Sequence, residues 1–497
     1  MKHAPTATDP SIMGSSQPTK FPTNQEIYLD LLSQLGLEPS WDVQIHGNDP
    51  VVPSPHRLGD AAATALAALG TSMAALWQQR TGMKEAIETS VAMAIPQLMA
   101  VFMTTLNGVP IRRLLEDPKL LSTSNFYRAK DGRYVFLLNS YPHLRDINMR
   151  VLNCPFETDS FATAISQWDA FELEERIGSL GGTCIAVRTR EEWRKSPQYP
   201  LLESAPVIEI QKVGDSFPEP LPPVFDPSKG KPLEGVRVLD NTHVIAGPMA
   251  GRICCEHGAE TLFMSSPDHM DPRVMVTETA LGKRSAFCDL NDEADRFKFW
   301  EVLRDADVYI SSYLSLDKRG YGPTELIKAR PGLIYCDFHA WGKEGPWQQR
   351  GGFDQLACSA TGFAHEEGLL RLDGRPSLPP TYLLNDYLAA ILGTAGIVEA
   401  LRRRATQGGS YRVHINLSRV AMWVQSLGMF EVDQVAQIPS PAADSLREKV
   451  LLKEVDSSGG RTRYLPTQIT YSTGSIKPGF AIGSEPTGAS RFEFLKH

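Results

Sequence analysis

GVRVLDNTHVIAGPMAGRICCEHGAETLFMS, residues 235–265, sets the fold class. Val236–Asp240 is a short apolar run rich in β-branched residues and reads as a buried strand. Thr242–Pro248 is a turn: Gly247 lets backbone approach closely and Pro248 suits a first helical turn. Met249–Gly258 reads as a helix stopped by glycine, and Ala259–Ser265 as the next strand. The rhythm persists downstream, with a helix over Arg296–Ala306, a strand over Asp307–Tyr313, a short helix over Pro323–Pro331 and a strand over Leu333–Trp341. Such alternation predicts an α/β fold, an open, mostly parallel nucleotide-type sheet with helices on both faces.

Upstream, the pattern differs. Residues 216–234 (SFPEPLPPVFDPSKGKPLE) are dense in proline and polar residues and read as a linker between units. Before it, FYRAKDGRYVFLL (126–138) reads as a hairpin about Lys130-Asp131-Gly132, WDAFELEERIGSLGG (168–182) as a helix, and CIAVR (184–188) and PVIEIQKV (206–213) as strands. This predicts a smaller α/β domain. The chain also repeats itself. LGDAAATALAALGTSMAALWQQRTG (58–82) and LNDYLAAILGTAGIVEALRRRATQG (384–408) align without gaps. Leu58, Asp60, Ala63, Leu66, Gly70, Ala74 and Gly82 fall on Leu384, Asp386, Ala389, Leu392, Gly396, Ala400 and Gly408. Each copy is an Asp, an apolar helix of about five turns and a Gly stop, followed by a short strand, EAIETSV or YRVHINL.

The expected organisation is an N-terminal extension over 1–50, disordered in part; a helical, Asp-bearing half-repeat over 51–118; the small domain over 119–215; the linker over 216–232; the large α/β domain over 233–430; and an irregular C-terminal segment over 431–497. With 497 residues, 42% of them apolar, the chain can build more than one core. The balance of 58 acidic against 50 basic residues argues against a nucleic-acid partner, which favours a basic excess. The seven cysteines show no zinc or redox spacing, so reduced thiols, a reducing cytoplasmic compartment and no metal are expected. MKHAPTATDPSIMGSSQPTK lacks the apolar core of a secretory signal. The apolar stretches near 61–76, 91–105 and 387–401 read as buried helices, so no membrane partner is expected. There is no GxGxxG after the first strand, no P-loop, no HExxH and no GxSxG.

Five blocks carry a resemblance: the turn from Val236 to Glu260, GKRSAFCDL (282–290), DADVYISSY (305–313), GLIYCDFHAWGKEGPW (332–347) with RGGFDQL (350–356), and NDYLAAILGTAGIVEALRRR (385–404). In order and spacing they are similar to the family III CoA-transferases of the CaiB/BaiF type. Residues 58–215 resemble the same family out of order, as its Asp-bearing helix and small domain. The chain thus resembles the second half of one copy followed by the first half of another.

That resemblance implies transfer of CoA between an acyl-CoA and a carboxylic acid, with Asp386 as the acyl-carrying nucleophile. It implies CoA contacts from His243, Val244, Ile245 and Ala246 in the first turn, from Lys283 and Arg284 of the KRS block, and from Tyr313, Lys318 (Arg319 beside it) and His339. CoA enters as a thioester substrate, no permanently bound cofactor is expected, and a homodimer follows from the family's interlocked pairs. The residues allow the chemistry. A carboxylate of ordinary pKa near ~3.9 is ionised at neutral pH and needs no base to attack a thioester. At a helix start, Asp386 could equally be a simple cap. Ile245 stands where formyl-transferring members use Gln, and Thr261–Ser265 replaces a VIKVE-like run, so a larger or more apolar acyl group is expected. Two alternatives stay open. A 2-methylacyl-CoA racemase would need bases where this chain has Phe353 (followed by Asp354) and Tyr141. A catalytically silent CoA-binding scaffold would suit a rearranged duplicate, and Asp60 reads as a decayed copy of the nucleophile.

Overall fold

A computed structural model describes residues 21–115, 117–224 and 226–496. The expected disorder within 1–50 falls partly on residues outside that range. Seven strands form the main sheet: β1 (Glu209–Gly214), β2 (Arg237–Asn241), β3 (Glu260–Ser265), β4 (Arg284–Phe287), β5 (Val308–Ser311), β6 (Ile334–His339) and β7 (Ser410–Asn416). Their order is β4-β3-β2-β5-β6-β7-β1. All neighbours are parallel except β7 and β1, which run antiparallel. The chain runs outward from β2 to β4, then crosses back to β5. The crevice between the ends of β2 and β5 is therefore the topological switch point, where open α/β sheets take ligands.

The small domain is a three-stranded antiparallel sheet, Asn125–Arg128, Tyr134–Leu137 and Cys184–Ala186, backed by helices Pro142–Leu152, Thr158–Ile165 and Ala170–Gly178. Gly132 takes φ 83° at the predicted hairpin tip. PVIEIQKV does not stay in this domain: it crosses over as β1, the edge of the main sheet. The linker is held rather than loose, because Arg80 donates to the carbonyls of Pro222, Pro232 and Glu234.

The repeat is real in three dimensions. Both alanine-rich helices, Leu58–Thr81 and Leu384–Gln407, have 24 residues, the same bounds in both copies, and pack against each other. In each, the internal glycine seats the helix on the strand that follows. A Cβ at Gly70 would lie 2.8 Å from Ile87, and one at Gly396 would lie 2.6 Å from Val413. Ile87 and Val413 occupy the same place in the repeat, and each strand has a parallel neighbour, Val43–His46 in one copy and β6 in the other. The half-repeat therefore reaches back to Val43, ahead of its expected start at 51, and keeps a remnant sheet completed by Thr470–Tyr471. Leu384–Gln407 is longer than the five turns expected and is apolar enough to cross a membrane by composition, yet its apolar window is buried inside the protein.

Both ends of the described chain hold ordered elements beside their irregular stretches. Residues 21–50 hold a helix, Asn24–Leu35, closed by a Thr23–Glu26 capping box and Gly36. The segment from 431 onward is not irregular throughout: Lys453–Ser457 and Gly460–Tyr464 form a hairpin that pairs with Thr105–Leu106. The tail then runs along β4, with Phe492 and Phe494 buried.

Candidate active site

The second alanine-rich helix begins in the protein interior, where its first N–H groups need acceptors. Asp354, at the start of helix Asp354–Ala360, supplies them: its Oδ2 accepts from the N–H of Asn385 at 2.5 Å and of Asp386 at 3.0 Å. Capping thus falls to Asp354, and the carboxylate of Asp386 is left for other work. Asp386 is 5% exposed, and no described residue hydrogen-bonds to or ion-pairs with its side chain.

This changes the expected protonation. Burial and the neighbouring Asp354 charge hold Asp386 well above the ordinary carboxylate range. Burial raises Asp354 to about 7, against the pull of the two N–H groups it accepts. Two close carboxylates in a dry site cannot both ionise easily. The two N–H donors favour the charge on Asp354 over that on Asp386. The ordinary carboxylate pKa expected of Asp386 is raised at this buried position.

The first copy shows the same device turned off. Asp49 Oδ2 accepts from the N–H of Asp60 at 2.8 Å, as Asp354 does for Asp386. But Asp60 is gripped by Arg57, Nε to Oδ2 at 2.8 Å, in the core. A carboxylate held by a buried guanidinium is a poor nucleophile.

An aromatic wall stands near Asp386. Tyr141 of the small domain stacks on Phe353, centroids 5.9 Å apart, and lies within electrostatic reach of Asp386. His243 stacks on Tyr313 at 4.6 Å, across the switch point, and its Nδ1 lies 2.8 Å from Ser312 Oγ. Burial lowers the pKa of His243, which favours the neutral ring. Tyr141 Oη donates to Asp271 Oδ1 at 2.7 Å, and Asp271 Oδ2 accepts from the N–H of Val244 at 2.9 Å. Val244 has φ 70°, the left-handed region a β-branched residue avoids, and Tyr382, four residues before Asp386, has φ 64°. Strained backbone of this kind persists where surrounding contacts hold it, and clusters at functional sites.

Through Tyr141 the structure links Asp386 with His243, Val244 and Tyr313. Ile245 and Ala246 start helix Ala246–Glu256 with buried side chains, so only their backbone is available. Lys283 does not join them: it is 1% exposed, and its ammonium donates to Asp240 at 2.7 Å and to the Pro248 carbonyl at 2.6 Å. Arg284 is taken up by the tail, donating to the Glu493 carbonyl at 2.7 Å. Neither offers a free cation to a phosphate. Lys318 is exposed on the turn Asp317–Arg319. His339 belongs to a separate polar cluster with Asp337 and His414, whose ligand-type atoms lie within 4.8 Å of one another. Arg412 already holds Asp337 there, at 2.5 Å. Asp271 was not legible in the sequence. In the sequence, Tyr141 stands out only as a place where a racemase would carry another residue, and Asp354 only as the Asp that follows such a place, Phe353.

The chain matches CoA-transferase family III over residues 42–216 and 233–450. It is 29% identical over 337 residues to the acetyl-coenzyme A transferase nodX of Hypoxylon pulicicidum, covering 62% of this chain and 55% of that protein. It is also 29% identical over 228 residues to the succinyl-CoA:glutarate CoA-transferase of Mus musculus, covering 43% and 52%. A solved structure of Rv3272 from Mycobacterium tuberculosis superposes with a TM-score of 0.37 at 28% identity, over 39% of this chain and 57% of that one. The chain spans about half the length of the curated relatives it matches. The two matched blocks break at the proline-rich linker, and the first begins beside the strand that opens the half-repeat. By that two-block match, the chain belongs to CoA-transferase family III.

Proposed function

We propose that this chain moves CoA between an acyl-CoA and a carboxylic acid, with Asp386 as the nucleophile. One observation carries the reading: Asp386 is the one of two equivalent aspartates whose carboxylate has no cationic partner, at the start of a helix whose cap is supplied by another residue. In this mechanism a carboxylate oxygen of Asp386 attacks the thioester carbon, the C–S bond breaks, and CoA leaves as thiolate. The thiolate attacks the Asp386 carbonyl carbon of the resulting anhydride and expels the donor acid, leaving an aspartyl-CoA thioester. The acceptor carboxylate displaces CoA in turn. The thiolate then takes the acceptor acyl group and frees Asp386. Anhydride and thioester both hydrolyse, which a deeply buried Asp386 resists. The dipole at the helix start stabilises the developing oxyanion.

The racemase alternative finds no support in the residues facing Asp386. Phe353 has no proton to exchange, and burial holds the Tyr141 phenol well above its usual range. The test of the proposal is intact mass spectrometry after incubation with acyl-CoAs and hydroxylamine. A hydroxamate on Asp386 is the expected product, and exchange without modification at that residue rules the mechanism out.

The raised pKa of Asp386 predicts a pH dependence. Attack needs the ionised form of Asp386, whose pKa is raised, so the rate of the first half-reaction rises with pH and then levels off. Asp354→Asn keeps an acceptor for the two N–H groups and removes the repelling charge. It should move the rising limb to lower pH, as read from single-turnover rates. A limb that stays in place would mean that the two carboxyl groups do not interact.

A further inference from the structure

A cleft of about 720 Å³ opens beside the aromatic wall, and the proposed chemistry does not by itself need it. Its lining includes Tyr141 and Asp271, which already border the site. Its sides are leucine-rich: Leu106, Leu114, Leu115 and Leu120 face Val274 and Val276. Leu114 and Met270 are left 42% and 52% exposed on it. Ser457–Gly459 at the hairpin tip and Ser484–Thr487 of the tail also line it. Both lie beyond residue 450, where the family match ends.

The charges on the lining decide between occupants. Three carboxylates, Asp117, Asp271 and Glu485, stand against one guanidinium, Arg273. An excess of carboxylates repels the phosphates of a nucleotide, and equally the second carboxylate of a diacid. A neutral hydrocarbon chain gains from leaving water along the leucine walls. A cleft of this size also exceeds what a two- or three-carbon acyl group can fill.

We infer that this cleft binds the aliphatic chain of a monocarboxylic acyl group whose thioester carbon lies at Asp386, and that Ser457–Gly459 and Ser484–Thr487 form a wall that sets the chain length accepted. This rests on the CoA-transfer reading and names its substrate class. The test is a calorimetric series on the full chain: free CoA, then acetyl-, butyryl-, hexanoyl-, octanoyl- and decanoyl-CoA. Affinity should rise up to about fourfold per methylene until the cleft is full. Leu114→Trp, at a partly exposed position, and Ser458→Trp, at the hairpin tip, should each end the rise at a shorter chain.

Four results overturn the inference. Affinity that ignores chain length does so while CoA transfer stands. A rise that both tryptophan variants leave intact puts the chain elsewhere. Weaker binding of free CoA to Leu114→Trp puts part of CoA itself in the cleft. Failure to bind any CoA species removes the inference together with the proposed function.

Discussion

Asp386→Asn is expected to lower CoA-transfer turnover by about 10⁴-fold or more, because removal of a covalent nucleophile leaves only positioning and electrostatics. The amide keeps the volume and planar shape of the side chain, so the wall of Tyr141 and Phe353 need not move. It cannot form the anhydride, and hydroxylamine should no longer modify the site. The variant should also be slightly more stable than the parent at neutral and alkaline pH. A carboxyl group held above its ordinary range loses stability relative to the unfolded chain as pH rises, and Asn does not. A dead enzyme with an undiminished melting temperature is thus the expected pair of results. Asp60→Asn provides the contrast. It breaks an internal pair with Arg57 and should cost stability while leaving turnover within a few-fold. Full turnover by Asp386→Asn would remove the proposed mechanism.

The second large effect concerns stability. His56 is buried in the core between two carboxylates, with Nδ1 2.7 Å from Glu367 and Nε2 2.9 Å from Glu366. Its ring stacks on Phe363 at 3.7 Å. With an acid on each nitrogen the imidazolium is favoured, and the two partners raise the pKa of His56 against its burial. Arg190 of the small domain also reaches Glu366, at 2.7 Å. One cluster therefore joins the half-repeat, the small domain and the large domain. His56→Ala leaves buried acids short of a partner and should cost about 3–5 kcal/mol, as removing one member of a buried ion pair does.

The sign of the pH dependence follows from both partners. The raised pKa of His56 means that its contribution is complete below the ordinary 6.5 and fades as pH rises through the folded value. Glu366 is lowered to about 2, so its contribution is present above the ordinary 4.5 and fades as pH falls toward that value. The difference in melting temperature between parent and variant should be largest between pH 4.5 and 6.5 and shrink on either side. A gap that does not vary with pH would show the ring to be packing alone.

Much of this architecture could be read from local pattern. The two helices, their terminal glycines and the strands after them announce themselves, because apolar periodicity and stop residues lie next to one another in sequence. Contacts across long separations do not. The KRS block looks like a pair of free cations until Asp240 in β2 is found under Lys283 and the tail over Arg284. β4 was missed for a similar reason, since Arg-Ser-Ala-Phe is too short and polar to stand out, and its place at the sheet edge is fixed by β3 and the tail. The hairpin at 453–464 hid in a Ser- and Gly-rich stretch that is its turn, Ser457-Ser458-Gly459-Gly460. At the site, the choice of Asp386 came from resemblance. Its cap by Asp354 depends on a buried contact between two helices, which no spacing in the chain encodes.

The matched glycine seats have a cost during synthesis. A nascent chain that has made Gly70 and Ile87 will later make Gly396 and Val413, a second lock and key cut to nearly the same shape. Each helix then has two docking partners of similar fit, and mispairing between duplicated units is a known hazard of such chains. What breaks the tie is the part of each copy that was not kept alike: Arg57 on Asp60 in one, Asp354 on the backbone of Asp386 in the other. The contacts that differ between the two aspartates thus also differ between the two docking sites.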